Sequence, residues 1–196
     1  MVRKPHDSLP MRLGSRPAGA LLACLAALAL ALQVSGQSHA RDHEEEEGAP
    51  EFIYPYADQQ EFWINSEPLS IKDFRGKPLL IEFWTFGCIN CRRSIPWVKS
   101  LEERYAGRLG IVGVHTPEFE HEKDKAAVRD AVARLGVTHP VVIDNDFYYW
   151  KALRNRYWPA YYLVDKHGEL AETFIGEVRE GSEKAARIER AIAALL

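Results

Sequence analysis

The sequence predicts an α/β protein with a mixed central β-sheet flanked by helices on both faces, and three patterns carry that expectation. Short apolar runs at Leu79 to Trp84, Leu109 to His115 and Val141 to Ile143 have the length of buried strands. Between them lie stretches with apolar residues at helical spacing, so strand and helix alternate and part of the sheet is parallel. Near the end, Asp165-Lys166-His167-Gly168-Glu169 is a turn joining Tyr161 to Val164 with Leu170 to Ile175 as a β-hairpin.

The chain of 196 residues opens on a different pattern. Arg3, Lys4, Arg12 and Arg16 are basic, Ala18 to Leu32 is an uninterrupted apolar run, and Ser38-His39-Ala40 supplies small residues where an export peptidase cuts. This order is that of a secretory signal peptide over 1–40. Cleavage after Ala40 leaves roughly 156 residues, the size of one domain with its own core. Two other readings stay open: an uncleaved signal anchor, although the run is shorter than the roughly 20 residues of a bilayer span, and lipidation at Cys24 in Leu21-Leu22-Ala23-Cys24. Arg41 to Glu51, with the acidic run Glu44 to Glu47, reads as part of a solvated linker over 41–60 or as an acidic docking tail. A domain is expected over 61–196. The net charge of −3 offers no basic field for nucleic acid.

Within that domain, Phe62-Trp63-Ile64-Asn65 and Pro68-Leu69-Ser70-Ile71 suggest short extended pieces, and Lys72 to Pro78 a turn punctuated by Gly76 and Pro78. After the strand at Leu79, Ile95, Val98, Leu101 and Tyr105 form one helical stripe, with Arg92, Lys99 and Glu103 opposite. A second helix is capped by Asp124 and turns Val128, Ala131, Val132 and Leu135 inward. A short one runs from Phe147 to about Leu153. Ser182 caps the last, with Ala185, Ile188, Ile192 and Leu195 inward.

The chemistry concentrates where the first of these strands meets the first helix, at Cys88-Ile89-Asn90-Cys91. The unpaired N–H groups and dipole of a helix start favour an anion, so a cysteine there is a thiolate more readily than a free thiol of pKa about 8.5. Cys88 is the expected attacking thiol and Cys91 the resolving one. Two thiols three residues apart close too small a loop to staple a fold, fall short of a four-ligand zinc site, and lack the following histidine of a haem attachment site. No cofactor or metal is expected. Glu82, between Ile81 and Phe83, faces a desolvation cost that raises its pKa and would suit it to carry the proton of Cys91; an exposed sheet edge is the other reading.

Phe83-Trp84 before the first cysteine, the helix opening at Cys-x-x-Cys, and Pro96 resemble the thioredoxin fold. Glu82 lies where thioredoxins carry a buried acid, and Trp158-Pro159 resembles their cis-proline loop. Pro68-Leu69-Ser70-Ile71, Gly76-Lys77-Pro78 and a helix-containing insert between the βαβ half and the hairpin are similar to the exported TlpA-like redoxin branch. The runs Trp84 to Cys91, Gly113-Val114-His115-Thr116-Pro117-Glu118-Phe119 and Tyr157-Trp158-Pro159-Ala160 look closer still to the periplasmic thioredoxin-like domain of DipZ-type thiol transporters. The resemblance spans roughly Phe62 to Ile175. It implies a redox site of Cys88, Cys91, Glu82 and Pro159, with Trp84, Trp158, His115 and Glu118 on the substrate side. His121 and His139 receive no role.

The activity this implies is an exported, periplasmic thiol–disulfide oxidoreductase, running as a disulfide reductase. Its partners would be exported protein disulfides and a membrane thiol transporter that donates electrons, with membrane contact of its own only through a retained signal segment. A peroxiredoxin-like peroxidase is the rival enzyme, though Ile81 stands where its proline would. A redox-silent binding module is the third reading.

Overall fold

All six residues of Leu79–Trp84 are buried, and since alternate side chains of a strand face opposite ways, this strand must be covered on both sides. The structure, a computed structural model, describes residues 48–52 and 58–196. The expected signal peptide, Cys24 and the run Glu44 to Glu47 lie outside the described residues. Strands β1 (Trp63–Ile64), β2 (Leu79–Trp84), β3 (Gly110–His115), β4 (Val141–Ile143), β5 (Ala160–Val164) and β6 (Leu170–Ile175) form one sheet in the order β1-β4-β3-β2-β5-β6. β2, β3 and β4 are mutually parallel neighbours, while β1, β5 and β6 pair antiparallel. The helices are α1 (Ile89–Arg104), α2 (Lys125–Leu135), α3 (Tyr148–Ala152) and α4 (Glu183–Leu195). Among the described residues no helix is long and apolar enough to cross a membrane.

On one face of the sheet Leu80, Ile111, Tyr161 and Leu163 pack with Trp97, Val98 and Leu101 of α1 and with Ala185, Ile188 and Ile192 of α4. The two helices are clamped by Glu189, which accepts from the Trp97 indole at 3.0 Å and from both ends of the Arg104 guanidinium at 2.9 and 2.8 Å. On the other face Phe83 stacks on Tyr149 of α3 and meets Trp150 and Tyr162 edge-on. Helices on both faces are therefore observed as expected. The expected insert is α2 and β4, and it widens the sheet as well, since β4 lies between β1 and β3.

Two stretches differ from the expectation. Ile71–Phe74 is a turn of 3₁₀ helix, held because the Ser70 hydroxyl accepts from the Lys72 N–H and the Asp73 carboxylate accepts from the Ser70 N–H. Gly48–Phe52, read as linker, belongs to the domain. Gly48 bridges Glu169, the Ala49 N–H donates to Gly168 O at 2.8 Å, and the Tyr149 hydroxyl donates to Pro50 O at 3.0 Å. Phe52 is 1% exposed among Trp63, Phe74 and Tyr149. The acidic composition of its surroundings hid one aromatic anchor.

Candidate active site

β2 ends at Trp84 and α1 begins at Ile89, so the four residues between them carry the chain from sheet to helix. Cys88 is the N-cap of α1, with extended backbone, and its Sγ accepts the Cys91 N–H at 3.2 Å. This is the cap that serine or aspartate supplies elsewhere, made here with sulfur. Hydrogen bonding from the Cys91 thiol draws the Cys88 pKa down to about 7, with the N–H groups of Cys91 and Asn90 helping, while partial burial and the charge of Glu118 oppose it. The Cys88 thiolate is thereby more accessible near neutral pH than that of an ordinary thiol.

Cys91 faces inward from the first turn of α1 and is fully buried. Burial drives its pKa far above the ordinary thiol range, and its neighbours Cys88 and Glu82 push the same way. Both cysteines are free thiols, one half-exposed and one enclosed. Such a pair can do sequential chemistry, because only one sulfur is both ionised and reachable.

Beneath them, Glu82 sits in β2 between Gly113 of β3 and Tyr161 of β5, on the face that α1 covers. It is 2% exposed, and burial lifts its carboxyl to about pKa 8 against the pull of the Tyr161 hydroxyl beside it. The exposed-edge reading of Glu82 is thus excluded. Its place in the centre of the sheet is dictated by the strand's period, which sends it the opposite way from Ile81 and Phe83.

Because β5 runs antiparallel to β2 with Ala160 opposite Phe83, Pro159 stands at the sheet end from which Thr85 to Cys88 emerge. The Trp158–Pro159 peptide bond is cis. Trp158 is half-buried, donates its indole N–H to Thr116 O at 2.9 Å, and lies 4.2 Å from the Trp150 ring. Glu118 is exposed on the same rim and close enough for its charge to act on Cys88.

Two of the four residues expected to meet substrate do not face solvent. Trp84 is 1% exposed and meets the His115 ring edge-on. His115 is wholly buried, stacked on Phe86, with Nε2 accepting the Phe86 N–H at 3.4 Å. Burial pulls its pKa down to about 4, so it is neutral at physiological pH. His115 supports the start of the loop from beneath through the Thr85 hydroxyl and the Phe86 N–H, and Trp84, opposite it in the neighbouring parallel strand, packs against its ring. Arg92 and Arg93 are exposed, and Arg93 reaches Glu177 at 3.6 Å.

Glu122 was not foreseen. It is fully buried, accepting the Gly87 N–H at 2.9 Å through one oxygen and the Glu118 and Phe119 N–H groups at 2.6 and 2.9 Å through the other. Burial alone would raise its pKa, but these donors and the Thr85 hydroxyl outweigh it and hold the carboxyl below its ordinary range. One carboxylate thus ties the loop before Cys88 to the rim that carries Glu118. In the sequence it is one acid among Glu118, Glu120 and Glu122, and no spacing separates it from them.

A helix-starting dithiol over a buried acid, faced by a cis-proline loop, can be set beside known proteins. The Redoxin family model matches residues 46–192. The chain belongs to the Redoxin family. Protein DipZ of Mycobacterium bovis is 42% identical over 119 residues, which are 59% of this chain and 17% of that protein. This redoxin therefore spans about a sixth of that relative's length. The thiol-disulfide oxidoreductase YkuV of Bacillus subtilis is 34% identical over 108 residues, 55% of this chain and 73% of YkuV. A thioredoxin-like protein solved in its oxidised form is 29% identical, with a TM-score of 0.63 over 76% of this chain and 94% of that one. The fold is the thioredoxin fold, in the redoxin branch that the sequence motifs imply.

Proposed function

We propose that this protein is a thiol–disulfide oxidoreductase that works outside the cytosol as a disulfide reductase. The observation that carries the reading is the inequality of the two thiols: Cys88 at the helix cap with a pKa near 7, and Cys91 fully buried behind it. Cys88 as thiolate attacks a client disulfide, forming a mixed disulfide and releasing one client thiolate. Cys91 then gives its proton to Glu82 and attacks the Cys88 sulfur; the Cys88–Cys91 bond forms as the client's second sulfur leaves with its electron pair. Pro159 and Trp158 stand where a client strand would lie against the site, and Ile89, Phe119 and Tyr157, large and exposed, offer it apolar contacts.

Export rests on the leader over 1–40, and the clients are exported proteins carrying disulfides. Regeneration of the dithiol needs an electron donor, for which a membrane thiol transporter fits the likeness to DipZ. The test is insulin reduction beside peroxide consumption, with the Cys88–Cys91 couple equilibrated against glutathione. A reductase reduces insulin, leaves peroxide untouched and gives a potential well below that of strong oxidants such as those near −120 mV. Peroxide turnover, or a strongly oxidising potential, would overturn the assignment. Cys91→Ser then traps clients as mixed disulfides.

A further inference from the structure

His139 has no part in the chemistry so far, yet it lies directly behind Glu82. Its Nε2 is 4.0 Å from Glu82 Oε2, and its Nδ1 is 3.8 Å from Oε2 of Glu102 on α1. The imidazole is 3% exposed, and both its nitrogens, like Glu82 Oε1, are buried without a hydrogen-bond partner. The absence of a side chain at Gly113 keeps the gap open: a Cβ there would come within 3.3 Å of His139 Nε2 and 2.9 Å of Trp84 Nε1. The histidine's backbone is pinned by Asn65, whose amide donates to Val137 O at 2.9 Å and His139 O at 3.0 Å. Beyond it a surface cavity of about 380 Å³ opens, lined by Glu102, His139, Lys77, Phe74 and Gly110. This cavity lies at the C-terminal end of α1, opposite the end that carries Cys88.

We propose that His139 is a positioning residue for proton transfer, connecting the buried carboxyl of Glu82 to Glu102 and the cavity at the far end of α1. The proposal rests on the reading of Glu82 as the base for Cys91. Glu82 holds its own proton at neutral pH, and must shed it before it can take another. Cys91 blocks the way on the redox side, and a client in mixed disulfide covers Cys88. The open direction is backward. The Glu82 proton passes to His139 Nε2 as Nδ1 gives its proton to the Glu102 carboxylate, whose pKa His139 and the Thr138 hydroxyl hold low. The resulting Glu82 carboxylate accepts the Cys91 proton as that sulfur attacks. Both gaps exceed hydrogen-bond length, so a small ring movement or one bridging water closes them. The charged groups facing the imidazole are Glu82 from β2 and Glu102 from α1, with Lys99 acting on Glu102 and Lys77 on the cavity wall.

The test uses the reduced protein and a chromogenic aromatic disulfide, which releases one coloured thiolate when Cys88 attacks and a second when Cys91 resolves. His139→Gln should leave the first release at its wild-type rate and slow the second about tenfold near neutral pH, the lower end of general acid–base effects. Imidazole, small enough for the cavity, should restore the second release of His139→Ala in proportion to its concentration. A second release at wild-type rate in His139→Gln, or a slow one in His139→Ala that ignores imidazole, overturns the proposal. Glu82→Gln separates the two ideas: if it too resolves at the wild-type rate, the base reading fails and the route with it. If it alone is slow, only the route fails. Should the His139 variants not fold, Glu102→Gln decides, with the pH profile of the second release moving to higher pH if the route holds and staying put if it does not.

Discussion

Replacing Glu82 by Gln tests the buried carboxyl at the centre of the sheet. The carboxyl ordinarily ionises at 4.5 and in the folded protein at about 8. Between those values the folded chain keeps a proton that the unfolded chain has released. Stability therefore falls as pH rises, being complete below the unfolded value and lost through the folded one. At about 1.4 kcal/mol per pH unit, the deficit at pH 7 is on the order of 3 kcal/mol. Glutamine keeps the shape and cannot ionise, so the variant should lose this slope. The assay is urea unfolding of the reduced protein from acid to mildly alkaline pH, wild type against Glu82→Gln. Cys88 contributes with the opposite sign, since its depressed pKa adds stability as pH rises past 7, but it does so in both proteins and leaves the difference. The variant should match the wild type near pH 4, below the unfolded value, and exceed it by a growing margin toward pH 8. A difference that stays flat across that range would refute the claim that burial holds this carboxyl protonated.

Alkylation of the native dithiol should modify Cys88 alone, with a rate that rises through a midpoint near pH 7; modification of Cys91 before unfolding would contradict its enclosure. Gly87→Ala places a Cβ within 2.2 Å of Glu122 Oε1 and should cost roughly 2–4 kcal/mol by breaking a charged hydrogen bond, read as a lower urea midpoint. Tyr161→Phe removes the hydroxyl that draws the Glu82 pKa down, and should move its carboxyl infrared signature to ionise at still higher pH. Glu189→Ala strands the buried Trp97 indole N–H and frees Arg104, for a loss of about 1–2 kcal/mol in thermal or urea unfolding.

The fold was legible where apolar residues ran unbroken or recurred at one period. Leu79–Trp84 can be read as a strand because its apolar run has strand length and is buried throughout, and the stripe Ile95, Val98, Leu101 as a helix because burial there recurs near 3.6 residues. Asp124 and Ser182 cap their helices as their residue types foretell, each accepting an N–H from the first turn. Phe52 was hidden because a single aromatic anchor has no period, and its partners Trp63, Phe74 and Tyr149 are distant in sequence. Trp84 and His115 were misplaced for a related reason: nearness to Cys88 along the chain or across β2 and β3 does not say which face a side chain takes. His139 escaped altogether, since its distance to Glu82 is set by the register of three strands.

Glu82 and Glu122 show how far that limit goes. Both are carboxyls buried to within 2% of full enclosure, and composition treats them alike. What parts them is the number of donors each can reach. Glu122 lies where the loop from Glu118 to Phe119 and the turn at Gly87 aim three backbone N–H groups at it, and it stays charged. Glu82 lies inside a β-strand, whose neighbours have already spent their N–H groups on the sheet, and burial leaves it protonated. A charged carboxylate with fixed donors cannot move a proton, but it can hold a loop in one place. A protonated one without them is free to exchange. The anchoring of the loop before Cys88 by Glu122 and the retained proton of Glu82 thus follow chiefly from how many backbone donors each carboxyl meets, with the Thr85 hydroxyl adding to those of Glu122. Exchanging those roles would require moving the strand, and no single substitution does that.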